Sequence, residues 1–568
     1  MLKNYAFMLE YQYDGIKYIS EANENDHYSI SAQDSGDSLK ITLQPKVKIS
    51  LKNAYIKYDY NYTDVDRVYV NGYQSWTTSR EYTKKDVQKG LLGLSNFITP
   101  VKNLTKIFGD YDFQRYSLKK GEFHSYSYTY INTSGKVTLF GTLNERTGYT
   151  VFHHNMSANT LIVQKDVEGV TIDAPYEVFD IYTVSGSYNE VFDKYFAKLD
   201  LPKLKYKHMS GYTSWYNYYG AITEEILSRD IDGLATLGDK VDIFQIDDGY
   251  QTATGDWLSV KTDLYPNGMK YLVDKIHSKG YKAGLWLAPF NAQRSSKVVK
   301  EHKDWLIIDP TTGKPQLGSI AWGGAYTLDF YIKEAADYIR KCFDGVLNDW
   351  GFDMVKLDFL YSICRTPRYN KSRGQIMCEA MDFLRDCVGE KVILGCGVPL
   401  FPSFGKVDMC RISSDVAPSF KDPFYIKHTN QEIISAKSAM NNSIFRRHLD
   451  GRAFVNDPDV FYVRKSNLIG IDPLVTKKSK LIFTEDQKLL LATINNMFGN
   501  VLFVSDNVGD YDDNQRKMAL NAFKATDKVV LDAEYTAADE ISITYEQDGN
   551  TYKLVFNTIS GENKTTKL

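Results

Sequence analysis

A handful of side chains in this 568-residue sequence combine acid, base and aromatic character at the ends of short apolar runs. The run Val241–Ile246 ends in Asp247-Asp248-Gly249-Tyr250. Adjacent carboxylates repel, form strands poorly and need donors, a demand that sugar hydroxyls or a simple Asp-Asp-Gly turn both satisfy. Met354-Val355-Lys356-Leu357-Asp358 places Lys356 and Asp358 two residues apart, on one face of a strand. A lysine and an aspartate turned inward are costly unless paired or used. As a pair they are a structural ion pair, or a carboxylate kept ionised for nucleophilic attack. Arg411-Ile412-Ser413-Ser414-Asp415 adds another acid beyond a strand end, either locked to Arg411 or free to act across a cleft from Asp358. Alternation in Gly284-Leu285-Trp286-Leu287 sets Trp286 opposite the two leucines, facing a cleft or buried in a core. Asn456-Asp457-Pro458-Asp459 reads equally as turn chemistry or as part of a site. Two carboxylates across one opening are the minimum equipment for glycoside hydrolysis, one attacking the anomeric carbon and the other protonating the leaving oxygen.

The elements that must hold these residues change along the chain. Residues 1 to about 200 show short alternating runs such as Leu39-Lys40-Ile41-Thr42-Leu43, separated by Gly, Asn and Asp turns, the pattern of a large β-sandwich. Helical periodicity enters at 188–199. From there, apolar strands at 211–216, 241–247, 281–287, 352–358, 391–396, 408–412, 453–455 and 500–505 alternate with helical segments at 223–237, 268–279, 331–350 and 428–447. Eight such strands over about 300 residues predict a (β/α)₈ TIM barrel, whose active sites lie at the C-terminal strand ends. From 511 onward short strands return, predicting a small C-terminal β-sandwich. The expected domains are 1–200, 201–510 and 511–568.

Composition narrows the function. Lys+Arg 68 against Asp+Glu 71 leaves a net charge of −3, which argues against nucleic acid and against a membrane surface as partners. Aromatics make up 14%, with 42 Tyr, mostly expected in sandwich cores. No Gly-rich phosphate loop, CxxC or HExxH occurs, so neither metal nor organic cofactor is expected. Six cysteines and a start without an apolar signal core predict free thiols and a cytoplasmic location. A homo-oligomer is left open.

In order, the motifs TSWY (with Trp215), IDDGYQ, GDW (with Trp257), GLWLAPF, EHKDW, KLDF, LGCGVPL, RISSDV and NDPDV resemble the glycoside hydrolase family 36 α-galactosidases over about 211–465. Asn71-Gly72-Tyr73-Gln74-Ser75-Trp76 is similar to a segment of that family's N-terminal sandwich. The resemblance implies a retaining exo-α-galactosidase with Asp358 as nucleophile and Asp415 as acid/base. It implies Asp247 and Asp248 on the 4- and 6-hydroxyls, Trp257 and Trp286 walling the sugar, and Lys356 near C3 and C4. It also implies Cys396 and Arg411 near the 2-position, and Trp76 reaching over from the sandwich. The implied substrate is an α-galactoside oligosaccharide. An α-N-acetylgalactosaminidase, a non-catalytic galactose-binding barrel and a metal-dependent barrel hydrolase are the alternatives. The sequence departs from the family pattern at Ser413-Ser414, at Tyr73, at Val455 and at Trp322-Gly323-Gly324-Ala325, where relatives commonly carry an Arg.

Overall fold

The computed structural model describes residues 4–90, 107–424, 430–464 and 483–568. Two seven-stranded antiparallel sheets come first. Alternation drives their pairing: in Ser38–Pro45 the side chains of Leu39, Ile41 and Leu43 are fully buried while the residues between them are half-exposed. These residues join Phe7, Leu9, Ile56 and Val163 in a core of their own. The abundant tyrosines have a structural use. Tyr69, Tyr128 and Tyr130 on the second sheet belong to the larger core that continues into the rest of the molecule. The helix Tyr188–Lys198 packs on this sheet, and His448 stacks on its Phe192 while hydrogen-bonding Tyr128 and Tyr188, each at 2.8 Å.

Eight parallel strands follow: β1 (Met209–Thr213), β2 (Ile243–Ile246), β3 (Lys282–Leu287), β4 (Met354–Leu357), β5 (Val392–Gly395), β6 (Met409–Arg411), β7 (Val455–Asp457) and β8 (Val501–Val504). They pair in chain order, and β8 pairs back onto β1. The seam between β7 and β8 is bridged by Asn500 N donating to Asn456 O at 3.1 Å, giving a near-closed barrel. The strands are short and almost wholly buried, as expected where helices cover the outside and side chains fill the inside.

Several boundaries differ from the sequence reading. β1 stops at Thr213, because Trp215–Tyr218 turns into a short helix. β7 takes in Asn456 and Asp457, so only Pro458 and Asp459 form the turn. The expected helix 331–350 is α-helical over Lys333–Asp344, then widens into a π-turn over Gly345–Asp349. The expected helix 428–447 is Ala436–Phe445, capped by Ser435, and residues 428 and 429 lie outside the described ones. Between β3 and β4 a three-stranded sheet (Asn291–Gln293, Leu317–Ser319, Ala325–Thr327) leaves the barrel. Near the C-terminus a helix, Asp513–Ala522, precedes a four-stranded antiparallel sheet whose Ile541, Ile543, Leu554 and Phe556 join the large core.

The sandwich is tied to the barrel beside the C-terminal strand ends. Ser75 N donates to Val398 O at 2.9 Å, just beyond β5. The fully buried Arg446 guanidinium donates to Gln74 O at 3.0 Å, Thr77 O at 3.1 Å and Ile412 O at 2.7 Å. One side chain thereby joins the 71–77 segment to the end of β6.

Candidate active site

Asp358 sits one residue beyond β4, where its N–H still bonds Leu287 O at 2.9 Å. The indole N–H of Trp286 donates to its Oδ2 at 3.1 Å, so Trp286 faces the barrel mouth. Phe359 N donates to Oδ1 at 2.8 Å. Phe359 holds a left-handed φ of 56°, uncommon for a non-glycine residue. Burial raises the Asp358 carboxyl above its ordinary range, against the pull of Lys356, the Cys396 thiol and Trp286. Cys396 is buried against Asp358, and both burial and that charge keep its thiol protonated as a donor.

Lys356 makes its hydrogen bond with Asp247, not with Asp358: Nζ to Oδ2 is 2.8 Å, with both side chains buried. Burial alone would lower the ammonium's pKa. The charge of Asp247, with smaller contributions from Cys396 and Asp358, holds it above the ordinary value. Gln245 donates to the same Oδ2 at 2.9 Å, and Asp248 N donates to Oδ1 at 2.9 Å. Asp248 accepts Gln251 Nε2 at 2.6 Å and Trp322 Nε1 at 2.7 Å, one on each oxygen. Burial raises its carboxyl, partly offset by these donors. An ionised carboxylate offers about four acceptor positions, so Asp248 keeps two for a ligand.

Arg411, at the end of β6, is 2% exposed. Its Nη2 lies 3.0 Å from Asp415 Oδ1 and 3.1 Å from Asp459 Oδ2. Asp415 stands half-exposed on the loop after β6, and the charge of Arg411 acts in turn on Cys396 and Lys356. Side chains from the ends of β2, β4, β5 and β6 thus influence one another electrostatically at one rim. Trp257 is buried beside Trp286, ring centroids 5.7 Å apart, with its Nε1 lacking a hydrogen-bond partner among the described residues. Trp76, from the sandwich, packs edge-on against Phe359 at 5.1 Å. A Cβ on Gly397 would lie 2.9 Å from the Trp76 ring and 3.0 Å from Phe359 N; with its φ of +55°, this position requires glycine.

All ten residues singled out from the sequence therefore adjoin the barrel mouth or a residue that lines it. Three further residues were not singled out. Trp322 bonds Asp248 and packs against Trp286 and Phe359, at 5.8 and 5.1 Å; the only sequence signal was its departure from the family pattern. Gln245 is a strand glutamine next to an acid, and Asp459 lay in the segment read equally as a turn. Among the described residues no group of three or more His, Cys, Asp or Glu side chains could hold a metal ion.

Residues 183–381 match the family model described as Melibiase. Among curated proteins, an alpha-galactosidase of Escherichia coli is 28% identical over 196 residues, covering 33% of this chain and 26% of that one. An A type blood alpha-D-galactosamine galactosaminidase of Flavonifractor plautii is 29% identical over 161 residues, covering 26% and 14%. The matched segments thus span about a quarter or less of these two relatives. Among solved structures, the alpha-galactosidase TtGalA of Thermus thermophilus with bound p-nitrophenyl alpha-D-galactopyranoside superimposes with a TM-score of 0.68 at 22% identity, covering 91% of this chain and 98% of that one. The GH36 alpha-galactosidase AgaA of Geobacillus stearothermophilus gives 0.60 at 13%, covering 98% and 78%.

Proposed function

We propose that this chain, which carries a melibiase domain of the glycoside hydrolase family 36 type, is a retaining exo-α-galactosidase acting on terminal α-galactosyl residues of oligosaccharides. The observation that supports it most is the setting of Asp358. A buried carboxylate with three donors around it, one from a tryptophan and one from a thiol, shares a barrel mouth with the Arg411–Asp415 pair.

In this reading Asp358 attacks the anomeric carbon and forms a covalent glycosyl-enzyme. Asp415 protonates the departing oxygen and then takes a proton from water. The tryptophan and thiol hydrogens hold Asp358 in one orientation. Asp247 and Asp248 accept the 4- and 6-hydroxyls, with Lys356 fixing Asp247 and reaching the 3- and 4-positions. Trp257, Trp286 and Trp76 enclose the ring. Cys396 and Arg411, both buried and held by charged partners, border the 2-position. That fixed lining favours a plain hydroxyl over an acetamido group, so galactosides should outpace N-acetylgalactosaminides.

The domain limits we assign are 1–200, 201–510 and 511–568. All six cysteines stand as free thiols, five of them buried, which suits a reducing cytoplasm. No described helix is long and apolar enough to cross a membrane.

The test is a panel of aryl α-glycosides, with the first-released sugar followed by NMR. Retention gives the α-anomer first. A β-anomer appearing first, or turnover confined to other glycosides, overturns the reading.

A further inference from the structure

Asp459 has the geometry of a residue that governs another. It is 3% exposed and follows Pro458 with a left-handed φ of 80°. Aspartate tolerates that region better than most residues, but the conformation still costs energy and persists only when its surroundings impose it. Four contacts impose it here. Asp459 N donates to Asp457 Oδ1 at 2.8 Å, and Asn495 Nδ2 donates to Asp459 O at 2.9 Å. The side-chain Oδ2 accepts from the Tyr216 hydroxyl and from Val416 N, the latter at 2.9 Å. The same oxygen lies 3.1 Å from Arg411 Nη2, the nitrogen that also holds Asp415.

We propose that Asp459 is the positioning residue of the acid/base: it fixes the backbone at Val416, one residue past Asp415, and competes with Asp415 for the Arg411 guanidinium. This rests on the assignment of Asp415 as acid/base. A general acid beside an arginine faces a conflict, because a guanidinium held by one carboxylate favours its ionised form, which cannot donate a proton. A second buried carboxylate on the same nitrogen divides that attraction. It also restrains Arg411 and the loop from moving when the Asp415 proton leaves.

The groups facing Asp459 are Arg411 from β6, Asp415 and Val416 from the following loop, Asp457 from β7, and Tyr216 and Tyr462. Burial, reinforced by Asp415 and Asp457 against the pull of Arg411, pushes the Asp459 carboxyl up to about 7. The charge of Asp415 thus acts on Asp459 across one shared arginine.

The experiment compares wild type with Asp459→Asn on phenyl α-galactoside, whose leaving group needs a proton, and on α-galactosyl fluoride, which needs little help. Removing the competing carboxylate leaves Arg411 to Asp415 alone. The basic limb of the pH–rate profile then moves to lower pH by about one unit. The phenyl glycoside loses roughly 10²-fold in kcat/KM, while the fluoride loses only a few-fold, because only general-acid assistance is impaired. Tyr216→Phe removes a single hydroxyl and should move both readouts the same way by a smaller amount, which carries the test if Asp459→Asn does not fold. Equal losses on the two substrates with an unmoved basic limb, or no loss at all, overturn the inference. A wild type inactive on both substrates removes the functional reading itself, and this inference with it.

Discussion

Two buried aspartates, one in the sandwich and one in the barrel, show how differently the same side chain can be used. Asp110 is fully buried near the sandwich's inner edge, and both its oxygens are occupied: Tyr116 donates to Oδ1 at 2.8 Å, His124 and Tyr126 to Oδ2 at 2.9 and 2.8 Å. Burial raises its carboxyl, but His124 and the two tyrosines together outweigh that and hold it below the ordinary value. Asp358 has as many donors, yet burial wins and its carboxyl is raised. The difference lies in what the surroundings offer the charge. The network at Asp110 is arranged for the ion. Asp358 faces a hollow in which Lys356 has turned to Asp247. A satisfied buried acid is architecture, whereas an incompletely compensated one stores reactivity at a cost in stability.

The largest expected effect separates the two at once. Asp358→Asn should lower kcat on an aryl α-galactoside by at least about 10³-fold, several kcal/mol in the barrier, without loss of thermal stability. Asp110→Asn should do the reverse. Breaking a buried hydrogen-bond set costs about 1–3 kcal/mol, visible as a lower Tm, while kcat stays within about twofold. Equal damage to activity from both would dissolve the distinction.

The pH dependence should split the same way. A carboxyl raised in the folded state favours folding below its ordinary pKa, and that advantage is lost as pH rises through the folded value. Asp358→Asn should therefore gain stability over wild type near pH 8 and not near pH 3. A carboxyl lowered in the folded state stabilises above its ordinary pKa and loses this as pH falls through the folded value. The penalty of Asp110→Asn should thus shrink in acid. Chemical denaturation at several pH values measures both. The acid limb of the rate profile, which reports the nucleophile in this reading, should lie above the ordinary carboxylate range.

The smallest effect concerns Trp322. Trp322→Phe keeps the ring but removes the donor to Asp248, a bond to a charged group worth about 1.5 kcal/mol. KM should rise about tenfold for a galactoside, with kcat changing less. An unchanged KM would leave Trp322 as packing alone.

Much of this was legible beforehand because it depends on local order. The alternation of Lys356 and Asp358, the acid pair ending β2, and the run before Asp415 all report strand ends, and a barrel collects strand ends at one rim. The two misread strand boundaries share one physical cause: Trp215 and Asn456 lie where a strand gives way to a turn, and the neighbouring strand rather than local propensity decides how far pairing continues. Trp322 was hidden for a different reason. It sits in the turn between two strands of a sheet that leaves the barrel between β3 and β4, and no periodicity records such a return.

Which residue types stand at the ends of which strands follows from amino-acid order, because a side-chain period of two and the turn residues that break it are written in neighbouring positions. Partnership between those residues was settled by folding. It gave Lys356 to Asp247 instead of Asp358, divided Arg411 between Asp415 and Asp459, and brought Trp76 against Phe359 from nearly 300 residues away. Those choices follow from the register of neighbouring barrel strands and the docking of one domain on another, where the distance between side chains no longer depends on their separation along the chain.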